Sequence, residues 1–257
     1  MYMHFIDVII LGIVEGVTEF LPISSTGHMI LASRILGLTQ SDFLKSFEII
    51  IQLGAILAVV ALYFRKFFDI EVLKRIIVGF IPTAIIGLIF YKLVKNFLGS
   101  ESVVLWSLFL GGVVIILFEI LKKNETGKEE NGITKLTYKD CTKIGLFQSI
   151  AIIPGVSRSA ATIIGGLSIG IDRKTITEYS FLIAVPTMVA ATGLELIKGG
   201  ANITPDQFGL LFVGFLVSFV VAFVAIKSFI KFVQHHKFTG FGIYRIVVAG
   251  VFFFVGK

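Results

Sequence analysis

Residues 15–28, EGVTEFLPISSTGH, place ionisable and hydroxyl side chains within an otherwise apolar stretch. Glu15 and Glu19 are four positions apart, so a helix presents both carboxylates on one face. Like charges at that spacing repel each other, and they need a cation when they are removed from water. A divalent metal ion, which prefers oxygen ligands, and the guanidinium of Arg158 are the two candidates. Protonation of the acids at a hydrated helix end is the alternative.

A second polar stretch, PGVSRSAAT at residues 154–162, has the composition of an anion site. Pro154 ends a preceding helix and Gly155 permits an open turn, so a new helix can begin after them. Hydroxyl residues cap a helix start, and the free backbone N–H groups there attract phosphate oxygens. Arg158 adds a planar guanidinium that suits a phosphate group. The hydroxyl residues predicted to support phosphate binding are Ser157, Ser159 and Thr162.

The first stretch contains the same combination of proline, hydroxyl residues and a helix start. Pro22 is followed by Ser24, Ser25 and Thr26, and His28 falls in the first turn of the predicted helix. Hydroxyl residues at such positions are usually caps, and a nucleophilic role is the alternative. Histidine titrates near neutral pH, so His28 is a candidate general base or acid. Together the two stretches predict a site for phosphate and a metal ion.

The composition indicates that these residues lie in a membrane. Of 257 residues, 56% are hydrophobic and only 16% are charged. This predicts an integral membrane protein and excludes an ordinary soluble domain. The Lys and Arg residues lie mostly in short loops, so we expect no nucleic-acid partner. Six apolar blocks approach the length of about 20 residues that crosses a bilayer: 47–64, 76–94, 103–121, 177–197, 208–230 and 241–256.

Two further apolar regions, residues 5–37 and 144–171, contain the polar stretches and are broken in the middle by Pro, Gly and hydroxyl residues. Each leg of the second region is too short to cross a bilayer, so we expect a re-entrant helical hairpin. By symmetry we expect another hairpin in the first region. The predicted fold is an all-α polytopic membrane protein with six transmembrane helices and two re-entrant hairpins.

The chain also contains an internal repeat. GIVEGVTEFLPISST from residue 12 resembles GLFQSIAIIPGVSRS from residue 145, and three apolar blocks follow each copy. With three spans per repeat, the second copy lies inverted relative to the first. We therefore divide the single membrane domain, 1–257, into three parts: a first repeat (1–122), a charged cytoplasmic linker (123–143) and a second, inverted repeat (144–257).

The positive charges give the orientation of this layout. Connections on one side of the spans hold fifteen Lys and Arg, against six on the other side. Cytoplasmic loops carry the excess, which places the richer side in the cytoplasm. Inverted repeats with broken helices place their site where the breaks meet near the midplane of the membrane. Secondary transporters share this plan, so transport of an anionic substrate is the alternative function.

The two polar stretches together resemble the paired signature of the undecaprenyl-diphosphate phosphatase family, the UppP or BacA type associated with bacitracin resistance. Both match it without gaps. The similarity continues along the chain in three further stretches: FEIIIQLGAILAVV at 47–60, FLIAVPTMVAAT at 181–192 and IYRIVVAG at 243–250. The resemblance implies hydrolysis of undecaprenyl diphosphate to undecaprenyl phosphate and inorganic phosphate, with a divalent cation, Mg²⁺ or Ca²⁺. It also implies recycling of the lipid carrier for peptidoglycan synthesis in a bacterial inner membrane, with the active site open to the outer face.

The resemblance assigns roles to particular positions. The family's essential residues fall on Glu15, Glu19, Ser25, His28 and Arg158, and we expect Glu15 and Glu19 to hold the metal ion. The supporting polar positions are Ser24, Thr26, Ser157, Ser159 and Thr162. Glu48 resembles a family carboxylate that faces the same cavity, and a solvated helix end is the alternative for it. Ser25 or a water molecule is the predicted nucleophile. A flippase for the lipid phosphate stays open as a second alternative.

Overall fold

The computed structural model describes residues 3–39, 41–95, 100–122, 132–199 and 207–255, and within them the chain is helical, without strands. The α-helices, in chain order, are α1 (Phe5–Thr18), α2 (Ser25–Ile35), α3 (Asp42–Leu62), α4 (Ile70–Lys95), α5 (Glu101–Leu121), α6 (Tyr138–Ser149), α7 (Arg158–Ser168), α8 (Arg173–Gly199), α9 (Phe208–His235) and α10 (Thr239–Val255).

Five of these helices are long and apolar enough to cross a bilayer: α3, α4, α5, α8 and α9. They coincide with the first five predicted spans. The sixth predicted span is α10, an apolar helix of 17 residues that is shorter than the others. The chain is therefore an all-α, multi-pass membrane protein, as its composition predicts.

Several helices begin before the apolar blocks because capping side chains decide where a helix starts. The Ser41 hydroxyl accepts a hydrogen bond of 3.1 Å from the Leu44 N–H, so α3 begins five residues before the predicted span. Thr137 and Asp140 form a capping box at the start of α6. The predicted linker therefore ends earlier than expected, because its residues 138–143 are helical. Its residues 123–131 lie outside the described part of the chain.

The first short helix of each broken region, α1 or α6, packs on the opposite half of the chain. Helices α1 and α3 pack on α9, α6 and α8 pack on α4, and α5 packs on α10. Glycine permits the closest of these contacts. A Cβ atom on Gly16 of α1 would lie 2.7 Å from the Ser218 carbonyl oxygen of α9, and one on Gly145 of α6 would overlap the Gly79 carbonyl of α4. Such small residues allow helix backbones to touch inside a membrane.

Candidate active site

Two interruptions of α-helical structure form the centre of the candidate site, and the second of them begins with a 3-10 turn at residues 150–152. The first break, residues 19–24, separates α1 from α2, and the second break, residues 150–157, separates α6 from α7. In the first break, the Ile23 N–H donates to the Leu21 carbonyl at 2.8 Å and closes a tight turn around Pro22. In the second break, Gly155 has φ +90°, a conformation that glycine adopts without strain.

Each break ends in a serine with an unusual backbone conformation. Ser24 and Ser157 have φ values of 72° and 78°, and they are the two residues other than glycine with positive φ in the described parts of the chain. Each hydroxyl caps the following helix by accepting a backbone N–H, from Gly27 at 3.3 Å and from Ala160 at 3.2 Å. The N–H groups that come before the capped one, at the very start of each helix, have no acceptor within the helix. Strained backbone of this kind concentrates at functional sites.

Glu19 links the two breaks. Its Oε1 accepts a hydrogen bond of 2.8 Å from Nη2 of Arg158, and its Oε2 accepts one of 2.5 Å from the Ser25 hydroxyl. The Arg158 Nη1 donates to the Ser180 carbonyl oxygen of α8 at 2.9 Å, and the guanidinium carbon lies 5.6 Å from the centre of the Phe20 ring. The buried Nε–H of Arg158 has no hydrogen-bond partner. The two hydrogen bonds use two of the five N–H donors of the guanidinium, so the arginine keeps donors for a ligand.

Carboxylate oxygens without partners mark the place for a cation. Glu15 is buried, with 2% of its surface exposed, and it lies close enough to Glu19, Glu48 and Arg158 for their charges to act on it. One oxygen of Glu15 and one of Glu48 are buried without a hydrogen-bond partner. A metal ion would satisfy such oxygens. No three acidic, Cys or His side chains of the described residues converge on one point, so an ion there would need further ligands from hydroxyls, water or substrate.

Glu19 and Arg158 border an open cavity of about 110 Å³, whereas Glu15 and the predicted cavity carboxylate Glu48 are not among the residues that line it. Its walls come from both breaks and from α3 and α8. Residues of the two motifs that line it are Glu19, Ser24, Ser25, Thr26, Pro154, Gly155, Ser157 and Arg158. Gln52 of α3, which the sequence interpretation did not single out, adds an amide to the wall. The cavity therefore combines carboxylate, guanidinium, amide and hydroxyl groups with two helix N-termini.

The remaining hydroxyl residues of the second motif are buried behind the cavity. Ser159 donates to the Phe20 carbonyl at 2.8 Å and so connects α7 to the first break. Thr162 contacts the Ser180 hydroxyl, with 2.7 Å between the two oxygen atoms. Neither residue lines the cavity, and both are fully buried. Their position indicates that they hold the second break in place and that the ligand-facing hydroxyl of this motif is Ser157.

Both ring nitrogens of His28 contact groups other than the Ser25 hydroxyl. Its Nδ1 is 2.8 Å from the Ser24 carbonyl oxygen, and its Nε2 is 2.8 Å from the hydroxyl of Tyr244 in α10. A carbonyl only accepts, so Nδ1 carries the proton and Nε2 accepts from the tyrosine. The two rings are stacked, with their planes 6° apart. His28 therefore supports the strained Ser24 and does not line the cavity, and sequence interpretation did not identify its partner Tyr244.

Arg245 is a third contributor that sequence interpretation missed, after Gln52 and Tyr244. It is fully buried in α10, and its guanidinium donates hydrogen bonds to carbonyl groups of both breaks. The sequence did contain a signal for it, because Arg245 is the one charged residue inside the last apolar block, residues 241–256. A charged side chain inside a membrane span is costly and usually marks a functional region.

Comparisons with known proteins agree on one family. The profile of the bacitracin resistance protein BacA family matches residues 8–251. The chain is 49% identical to the undecaprenyl-diphosphatase of Sulfurihydrogenibium sp. (strain YO3AOP1), with coverage of 96% of this chain and 98% of the relative. It is 50% identical to the undecaprenyl-diphosphatase of Aquifex aeolicus, with 95% of both chains covered. Identity to the protein of the same name from Bdellovibrio bacteriovorus is 51%, with 96% and 94% covered.

Proposed function

This chain belongs to the bacitracin resistance protein BacA family, and we propose that it hydrolyses undecaprenyl diphosphate to undecaprenyl phosphate and inorganic phosphate. The reaction recycles the lipid carrier of cell-wall synthesis and thereby counters bacitracin. The observation that carries this proposal is the connection Ser25–Glu19–Arg158. It places a hydroxyl, a proton acceptor and a phosphate-binding cation along one wall of the cavity.

The diphosphate binds at the second break. Arg158 lines the cavity with N–H donors that Glu19 and Ser180 do not use, and the first N–H groups of α7 lie at the positive end of that helix. The matching start of α2, beside Ser25 and Thr26, offers N–H groups to the terminal phosphate from the other side. Donors fixed in advance at the oxygens where charge develops supply most of the catalysis in phosphoryl transfer.

Ser25 or a water molecule in its place attacks the terminal phosphorus. Glu19 accepts the proton, because its carboxylate is already bonded to the Ser25 hydroxyl. The bond between the terminal phosphorus and the bridging oxygen breaks, and undecaprenyl phosphate leaves. After serine attack, water then releases phosphate from Ser25.

Glu15 and Glu19 are the residues proposed to hold a divalent cation, Mg²⁺ or Ca²⁺, with Glu48 nearby. The orphaned oxygens of Glu15 and Glu48 and the surplus of acidic groups fit such an ion. When bound, it would neutralise charge on the phosphate oxygens. Glu15 and Glu19 would hold it from the side of α1, with Glu48 of α3 nearby, and Arg158 contributes positive charge from the side of α7.

The membrane layout proposed for this site has six crossing helices and two re-entrant hairpins in inverted repeats. Helices α1 and α6, with 14 and 12 residues, extend about 20 Å or less at about 1.5 Å per residue, so neither crosses a bilayer of about 30 Å. Reciprocal packing supports the inversion, because α1 contacts α9 as α6 contacts α4. The distribution of Lys and Arg supports an inner-membrane protein whose site opens to the outer face.

The same fold could serve a transporter, because fold alone does not determine function. The Ser25 hydroxyl bonded to a buried carboxylate favours phosphoryl transfer. A transport site needs charge recognition, but it does not need a nucleophile beside a proton acceptor.

The test is release of inorganic phosphate from undecaprenyl diphosphate by the purified protein in lipid nanodiscs. We expect wild-type protein to release one phosphate per lipid and to leave undecaprenyl phosphate intact. Arg158→Ala in the same preparation is the matched control for contaminating phosphatases, and we expect it to be inactive. Folded wild-type protein that releases no more phosphate than this variant would refute the proposal.

A further inference from the structure

Arg245 of α10 makes five hydrogen bonds, and every one goes to a backbone carbonyl. Its Nη1 donates to Pro22 at 3.3 Å and to Val156 at 2.9 Å, so one nitrogen joins the first break to the second. Its Nη2 donates to Gly155 at 3.0 Å and to Ser107 at 2.8 Å, and its Nε donates to Leu108 at 3.2 Å. A guanidinium has five N–H donors, so its capacity is fully used.

The surrounding chain is shaped to admit this guanidinium. Ser107 and Leu108 belong to α5, which packs along α10. A Cβ atom on Gly111 of α5 would overlap the Arg245 guanidinium, so glycine is required there for the side chain to pass. A buried cation without a carboxylate partner costs free energy unless its environment is fully polar. Five carbonyl groups from three separate segments provide that environment.

From this geometry we infer that Arg245 is a positioning residue that holds the two breaks in register, so that Ser25 and Glu19 meet Arg158. Arg245 does not line the cavity, so it acts through the backbone and not on the substrate. The Val156 carbonyl and the Ser157 N–H belong to one planar trans peptide and point in opposite directions. Holding the carbonyl towards Arg245 therefore turns the Ser157 N–H away from it, to the side where Ser157 lines the cavity.

The kinetic test rests on the proposed phosphatase activity. Arg245→Met removes all five donors and keeps an unbranched side chain, and Arg245→Lys keeps the charge with fewer donors. We expect Arg245→Met to lower kcat by about 100-fold or more with KM changed less than about threefold, because small displacements of reacting groups have effects of this size. Arg245→Lys should recover part of the lost kcat. An unchanged kcat, or a rise in KM alone, in folded Arg245→Met protein would overturn the inference.

A second variant covers the case in which Arg245→Met does not fold. Gly111→Ala keeps the arginine but places a methyl group against its guanidinium, and alanine itself favours a helix. Gly87→Ala in α4 is the matched control, because a Cβ atom there meets open space. We expect Gly111→Ala to lower kcat and Gly87→Ala to leave it unchanged. Equal kcat in both variants would overturn the inference.

Hydrogen–deuterium exchange gives a readout that does not depend on activity. In Gly111→Ala, peptides covering residues 20–27 and 153–161 should both exchange faster than in Gly87→Ala, because one guanidinium holds both breaks. Faster exchange of only one peptide, or of neither, would contradict the positioning role even if the protein proves to have another activity. A wild-type protein without phosphatase activity would refute the proposed function. The exchange measurement would then still decide whether Arg245 holds the two breaks.

Discussion

Glu19 and Arg158 form a buried ion pair, with 2.8 Å between the carboxylate Oε1 and the guanidinium Nη2, although 139 residues separate them in the chain. Their side chains are 3% and 10% exposed. A buried pair of this kind adds little net stability, because removing both charges from water is costly. The pair instead has a positional role, because it holds the Glu19 carboxylate of the first break next to the Arg158 guanidinium of the second break.

The shape of the Arg158 guanidinium is expected to be essential, and not only its charge. Arg158 donates to Glu19 and Ser180 with two nitrogens and keeps three further N–H donors. A lysine at this position is a point charge that cannot reproduce this fork. We therefore expect Arg158→Lys to lower kcat/KM by about 100-fold or more, the usual effect of losing a preorganised donor. The measurement is phosphate release from undecaprenyl diphosphate.

Arg34→Lys is the control for the arginine substitution. Arg34 pairs with Glu101 at 2.7 Å on a half-exposed surface, where such pairs contribute little. We expect its activity to stay within about twofold of wild type. If Arg158→Lys is as active as Arg34→Lys, the hypothesis that the shape of the Arg158 guanidinium is essential is wrong.

The Ser25 hydroxyl is expected to be required for turnover. Ser25→Ala removes the group bonded to Glu19, and we expect at least about a 1,000-fold loss of kcat if that group is the nucleophile. Ser33→Ala is a matched control on the same helix, because Ser33 is buried and its hydroxyl has no partner. Wild-type turnover by Ser25→Ala would exclude Ser25 as the nucleophile.

Rapid acid quenching of a single turnover in oxygen-18 water separates the two possible nucleophiles. In a single turnover, attack by Ser25 transfers the phosphoryl group to the serine, and the water that later releases it adds one label. Direct attack by water also labels the phosphate, so the label must be read on the enzyme: rapid acid quenching should trap phosphate on Ser25. Absence of phosphoserine at every quench time, with labelled phosphate released, would support direct attack by water.

Removal of divalent cations is expected to abolish activity reversibly. Chelation with EDTA should stop phosphate release, and Mg²⁺ or Ca²⁺ should restore it. In Glu15→Gln the metal concentration for half-maximal activity should rise by about 10-fold or more, because even indirect ligands contribute that much to affinity. Asp42→Asn, which alters an exposed acid at the start of α3, is the control. Equal activation curves for the two variants would contradict metal binding by Glu15.

The left-handed serine of the second break is expected to respond differently to glycine and alanine. Ser157→Gly loses the cap but relieves the positive φ, so we expect stability to stay within about 1 kcal/mol of wild type. Ser157→Ala loses the cap and keeps the strain, with an expected loss of about 1–2 kcal/mol. Thermal unfolding in detergent measures the difference, with the exposed Ser228→Ala as control. Greater stability of the alanine variant would contradict the assignment of strain.

Local signals made the membrane class and the chemically active residues predictable. Pro22 and Pro154 with their neighbouring hydroxyl residues marked both breaks, because proline ends helices and serine caps them irrespective of tertiary contacts. Helix starts were less predictable. The apolar blocks show which residues lie in lipid, but a helix can begin before its apolar block. The capping box of Thr137 and Asp140, for example, starts α6 in a polar segment.

The sequence by itself determined an all-α membrane protein and two polar stretches that contain acids, hydroxyls and an arginine, because composition and spacing act locally. Only the tertiary structure decided which groups meet. It paired Glu19 with Arg158 and Ser25, turned His28 towards Tyr244, and placed Arg245 behind both breaks. Most of these contacts join residues more than a hundred positions apart, so they depend on helix packing between the two halves and leave no pattern in either stretch alone.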